Sequence, residues 1–276
     1  MARTAAATPE RHSPRPARAY EGWSSPFDFV GRMTAIVAVL PVAHEGARAM
    51  LPAGLDLAAQ DVVAGDRHPL VLILGQQKDV RARLLPFGAD YLEFILALPF
   101  VERRAGGKGT YGPFCYPVRL YLDRALPTVA GRLLYAYDKR RAAIRMTADT
   151  YRVGDPDDRA PLLEAHFRAV GEAIEPSRVA ATLFDLPVIS QVGGRWRYSV
   201  ADLGLDRAVL QPVELRLAIH RAFVAGLPVG EFRFNGVEGD TAAAFRIRTD
   251  WRLAGPWARR SPPTTCFGPA SERPQA

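Results

Sequence analysis

At 276 residues, 48% hydrophobic and 24% charged, the chain has an ordinary globular composition and enough apolar surface for a sizeable core. Its net charge of +7 comes mostly from arginine, and no helix-turn-helix, zinc-ligand spacing or RNA-binding aromatic signature accompanies it, so nucleic acid is not an expected partner. No apolar run approaches the ~18 residues of a membrane span, so no membrane partner is expected, and two distant cysteines, Cys115 and Cys266, form neither a disulfide framework nor a metal-ligand set and fit a reducing, cytoplasmic setting.

Residues 1–25 are basic and rich in Pro and Ala with no apolar segment behind them; they read as a disordered tail rather than a secretory signal. Residues 259–276 read as a second disordered tail, and 26–258 as a single domain without repeats. Met33–Val42 is a continuous apolar run of buried-strand length, and His44–Leu51 spaces Ala47, Met50 and Leu51 as a helix that Pro52 stops. Strands are expected at Leu70–Leu74, at Asp90–Val101 and at Pro117–Leu122, where Val118, Leu120 and Leu122 alternate. Thr128–Arg132 reads as a turn or short helix, and Leu133–Tyr137 and Ala143–Tyr151 as extended chain. Pro161–Ile174 carries a helical pattern through Leu162, Ala165, His166, Ala169 and Val170. Thr182–Gln191, Trp196–Val200, Ala208–His220 and Ala242–Leu253 read mostly as strands, with Gly193-Gly194 as a hairpin turn. Many strands and few helices predict a mainly β (α+β) fold, an antiparallel, partly closed β-barrel with a few peripheral helices.

Several familiar catalytic constellations are absent. There is no phosphate-binding Gly-rich loop ending in Lys-Ser/Thr and no Gly-x-Ser-x-Gly elbow. The five histidines (His12, His44, His68, His166, His220) are scattered without metal spacing, so no metal site is expected; His44 and His68 read as loop residues. Lysine is scarce, with only Lys78, Lys108 and Lys139 present. Lys139 follows Leu133, Leu134, Tyr135 and Tyr137 and precedes Arg140 and Arg141. From the residues alone this is either a strand ending in a solvated basic turn, or a lysine dried by apolar neighbours and repelled by Arg140. Drying and repulsion are the two ways a protein lowers an amine's pKa and makes it a nucleophile toward ketones.

Around this lysine the chain carries Tyr91-Leu92-Glu93, Tyr121-Leu122-Asp123, Gly131-Arg132 and Ala136-Tyr137-Asp138-Lys139. The series resembles the acetoacetate decarboxylase superfamily, whose pattern runs from Tyr-x-Glu through Tyr-Leu-Asp and Gly-Arg to a Schiff-base lysine; the block from Asp123 to Lys139 fits it without a gap. Leu51-Pro52-Ala53-Gly54-Leu55 and Phe184-Asp185-Leu186-Pro187-Val188-Ile189-Ser190 are similar to further family segments, so the resemblance spans residues 28–255.

The resemblance implies that Lys139 condenses with the substrate ketone, that Arg140 is the neighbouring cation that activates it, and that Glu93 faces the pocket. It implies substrate contacts from Arg32, matched at a one-residue offset, and Tyr137 lies two residues before Lys139 on the same strand face. The activity implied is that of a lysine-iminium lyase, a decarboxylase of acetoacetate or a related β-keto acid that needs no cofactor and assembles as a homo-oligomer. Aldolase–dehydratase or cyclase chemistry on a larger keto acid uses the same lysine.

Two departures stand out. Asp138 replaces the family's Pro and sets a carboxylate beside the lysine, opposing Arg140, and Leu70–Gly75 lacks the family's glutamate, with Gln76 and Gln77 after it. They keep open a rival of another class, a non-catalytic small-molecule-binding barrel. At residue level, Glu93 also reads as a surface ion-pair partner, Arg132 as a structural tie of a turn, and Tyr91, Tyr121 and Tyr137 as wall.

Overall fold

Long strands with both faces buried organise the molecule, a computed structural model that describes residues 28–104, 110–156, 160–174, 182–192, 194–238, 241–242 and 244–257; the two expected tails lie outside these. In chain order the first half contains β1 (Phe29–Ala43), α1 (His44–Ala49), β2 (Leu55–Leu57), β3 (Arg67–Ala82), β4 (Ala89–Arg104), β5 (Thr110–Leu122), α2 (Ala125–Tyr135) and β6 (Lys139–Arg141). There follow β7 (Ala143–Met146), β8 (Thr150–Gly154), β9 (Pro161–Ala169), β10 (Val188–Val192), β11 (Arg195–Asp202), β12 (Val209–Ile219), β13 (Gly230–Asn235), β14 (Val237–Glu238), β15 (Thr241–Ala242) and β16 (Ala244–Trp257).

Strand β1 shows why its sequence is continuously apolar. Met33, Ala35, Val37 and Val39 point into one core with Val71 and Ile73, while Ile36, Ala38, Leu40 and Val42 point into another with Leu70, Leu72 and Leu74. A strand covered on both sides has no polar face to alternate with.

The β1, β3, β4 and β5 strands pair antiparallel in that order; β5 meets β10 in parallel, and β10, β11 and β16 continue antiparallel. Strand β16 then returns to β1, from Phe29↔Leu253 to Ala38↔Ala244, so the sheet closes into a ring. The mainly β, partly closed barrel expected from the sequence is this ring. From β16 the sheet also branches through β12 to β9, β8 and β7, with β13 on the other side of β12. This branch packs over the ring's other face: Tyr151, Leu163, Phe167 and Leu215 join Ile36, Leu72 and Phe94 in one core.

Four expectations need correction. Pro161–Ile174 is not a helix; β9 occupies Pro161–Ala169, with Leu163, Ala165 and Phe167 buried and Glu164, His166 and Arg168 outward-facing. The same residues satisfy both periods, and pairing with β8 on one side and β12 on the other selects the strand. Leu133–Tyr137 is not extended but holds the last turn of α2 and its cap, and Thr182–Gln191 becomes strand only at Val188, after a helical turn at Thr182–Phe184. His68 lies in β3 rather than a loop, fully buried, with Nε2 2.8 Å from the Pro99 carbonyl; burial lowers its pKa.

The ring has a polar seam. Asp28, just before β1, is fully buried and accepts from the Gly255 N–H at 3.2 Å and from the Arg252 guanidinium at 2.7 Å, tying the first strand to the last. Truncating Asp28→Ala leaves a buried N–H without its acceptor, and should lower unfolding free energy by about 1–3 kcal/mol in urea titrations.

Candidate active site

Lys139 is delivered to the ring interior by the end of α2. That helix stops at Ala136, whose left-handed φ of 59° reverses the chain, and its cap N–H returns to the Gly131 carbonyl. The chain then runs beside β5 as the short parallel strand β6, level at Leu120↔Lys139. Arg132 donates to the Lys139 carbonyl, the tie of a turn read from the sequence. Gly131 lies directly over the lysine stem: a Cβ there would fall 2.4 Å from Cδ and 2.5 Å from Cε of Lys139. Only hydrogen fits, so the Gly-Arg pair serves the placement of the lysine.

Glu93 comes from β4, which sends Tyr91, Glu93, Ile95 and Ala97 toward the ring interior and Phe94, Leu96 and Leu98 into the opposite core. Its Oε1 accepts from Lys139 Nζ at 3.0 Å, and its Oε2 accepts from Gln77 Nε2 at 3.3 Å. Gln77 Oε1 in turn accepts from the Trp251 indole N–H at 2.8 Å. An indole nitrogen can only donate, so it fixes the amide with its NH₂ toward Glu93. Lys139 is 8% exposed and Glu93 4%. Both charges are therefore out of water, a state that is tolerated only when each finds its partner.

The pair opens onto a cavity of about 180 Å³ walled by Met33, Val71, Ile73, Leu120, Leu186 and Leu203, among others. Tyr137 also lines it, with its hydroxyl 2.8 Å from Ser199 Oγ; burial pushes this phenol and that of Tyr91 well up, so both stay protonated. Cys115 in the same wall is pushed up to about 12 by burial, which keeps it a thiol.

Two residues given substrate or activating roles lie elsewhere. Arg140 alternates away from Lys139 on β6, is exposed, and its guanidinium sits 3.3 Å from Asp138. Asp138 also takes Arg119 at 2.9 Å. The carboxylate expected to oppose the lysine is thus paired with arginines outside the cavity. On β1 it is Met33 that faces the cavity, and the neighbouring Arg32 turns the other way, opposite Asp250, into a separate polar groove with Arg81 and Arg207. Sequence reading missed Gln77 and Trp251. Gln77 was visible as a polar residue closing an apolar strand, whereas Trp251 lies on the last strand, and only ring closure brings it near.

The family model of acetoacetate decarboxylase (ADC) matches residues 7–223. The chain belongs to the acetoacetate decarboxylase family. No curated protein matches it in sequence. Among solved structures, the acetoacetate decarboxylase of Legionella pneumophila subsp. pneumophila str. Philadelphia 1 shares 15% identity at a TM-score of 0.58, over 86% of this chain and 88% of that one. An acetoacetate decarboxylase-like enzyme from Sphingomonas wittichii RW1 aligns at 14% identity and a TM-score of 0.56, over 84% and 93%. The enduracididine biosynthesis enzyme MppR, complexed with the condensation product of pyruvate and imidazole 4-carboxaldehyde, aligns at 15% and 0.55, over 90% of each chain. At these identities the likeness is one of fold.

In this member of the decarboxylase family the ion pair can be weighed by stability. Lys139→Met or Glu93→Leu alone should lose about 3–5 kcal/mol in urea titrations, because each strands a buried charge. The double variant should recover wild-type stability or exceed it.

Proposed function

We propose that this family member is a Schiff-base lyase that decarboxylates a β-keto acid through Lys139. The observation that carries this reading is the 3.0 Å contact between Lys139 Nζ and Glu93 Oε1 inside an apolar cavity. An ammonium cannot attack a ketone, and here the proton that must leave has an acceptor in hydrogen-bond contact. Passing it to Glu93 converts two buried charges into none.

The free amine adds to the keto carbon. The carbinolamine hydroxyl takes a proton back from Glu93 and departs as water, leaving an iminium. The iminium nitrogen receives the electron pair of the C–CO₂ bond as CO₂ leaves, and the resulting enamine is protonated at carbon. Water then releases the product ketone and restores Lys139. Gln77 and Trp251 hold the carboxylate in line for both proton transfers. Proton transfer to Glu93 takes the activating role that the resemblance gave to Arg140, and Tyr137 shapes the wall.

A second fate of the same enamine is attack on an aldehyde, with loss of water. The complex of MppR with a condensation product of pyruvate favours keeping it as the alternative.

Incubation with acetoacetate and borohydride, followed by peptide mass mapping, should place a reduced adduct on Lys139, and CO₂ release separates decarboxylation from condensation. Lys139→Ala should abolish both, whereas Arg140→Gln should change kcat/KM by no more than about fivefold, as expected of an exposed ion pair. No adduct with any keto acid would leave a binding barrel.

A further inference from the structure

The cavity has a direction. Strands β3 and β4 face each other in register through Gln77↔Tyr91, Gly75↔Glu93, Ile73↔Ile95 and Val71↔Ala97. Apart from Gly75, which has no side chain, each of these residues lines the cavity, so successive rungs read polar, reactive, apolar, apolar. Rungs two residues apart are separated by about 7 Å. The far rung therefore lies about 13 Å from the one that holds Glu93. Gly75, opposite Glu93, adds no side chain to that rung, so Glu93 is its one side chain facing the cavity. Beyond it, Leu183, Phe184 and Leu186 join Ile73, Ile95 and Val71 in the wall. Among the described residues lining the cavity, Lys139 is the one cation, and it is already matched by Glu93.

Resting on the Schiff-base reading above, we infer that the substrate is a 3-oxo acid with a medium-length hydrocarbon tail, seated with its keto carbon at Lys139 and its tail along the Ile73–Ile95 and Val71–Ala97 rungs. Acetoacetate would fill the reactive rung and leave the apolar ones empty. Each methylene moved from water into such a wall multiplies binding by about fourfold.

The test is kcat/KM for acetoacetate, 3-oxohexanoate and 3-oxooctanoate, corrected for spontaneous CO₂ loss. It is run beside borohydride trapping of each acid and of pyruvate, and beside calorimetric binding of acetone, 2-pentanone and 2-heptanone. The expected result is a rise in kcat/KM of about 15-fold from acetoacetate to 3-oxohexanoate and a further rise to 3-oxooctanoate. Ala97→Leu, which fills the far rung, should lower the 3-oxooctanoate-to-acetoacetate ratio at least about tenfold. A Lys139 adduct that forms best with acetoacetate or pyruvate, with no gain along the series, would overturn the tail assignment and leave the Schiff-base reading standing. Tighter binding of longer ketones without any adduct would support the tail site and overturn the Schiff-base reading alone. Neither adduct nor chain-length dependence would overturn both.

Discussion

A buried ammonium–carboxylate contact governs the arrangement of this protein. Lys139 and Glu93 sit 3.0 Å apart with almost no exposure, in a wall that is otherwise mostly hydrocarbon. Removing two charges from water costs several kcal/mol for each, so a stable fold must meet that cost with close geometry and further hydrogen bonds. The Gln77 amide and Trp251 indole supply one such chain, and the surrounding ring supplies rigidity. Under the proposed Schiff-base reading, what the fold gives up in stability at this point it holds as chemistry, because the proton shared by the pair is the one an attacking amine must shed.

The backbone around the pair follows from the same need. A lysine stem can lie flat on a helix only where the helix has no side chain, and Gly131 occupies that place on α2. The left-handed Ala136 then turns the chain so that three residues later Lys139 can enter β6 and point inward while Arg140 points out. Ring closure through β16 brings Trp251 from the far end of the sequence onto Gln77. Asp28, fully buried at the seam beside Arg252 and Gly255, secures that closure.

Much of this was legible in the residues. Buried strands announced themselves as apolar stretches in β1, β3 and β4 and as alternation in β5, and the ungapped spacing from Asp123 to Lys139 carried the resemblance to the family pattern. Asp123 in that block also has a structural part, since its carboxylate accepts the Leu92 N–H next to Glu93. What failed to show were features set by distant pairing. Strand β9 looked helical because its apolar residues satisfy both periods, and only its two neighbours decide between them. The facing of Arg32 depended on a single residue of register, and the pairing with β3 shifts register between Val30 and Arg32. The alternation of Lys139 and Arg140 sent adjacent cations to opposite sides, which separates two charges that sequence adjacency suggested would act together.

The most direct measurement is a crystal structure of the protein after borohydride reduction in the presence of a 3-oxo acid. The account predicts continuous density from Lys139 Nζ to the former keto carbon, with Glu93 beside it and the remaining carbons running toward Ile73 and Ile95. Density attached to Lys78 or another amine, or an unreacted Lys139 still paired with Glu93 in an empty cavity, would contradict it.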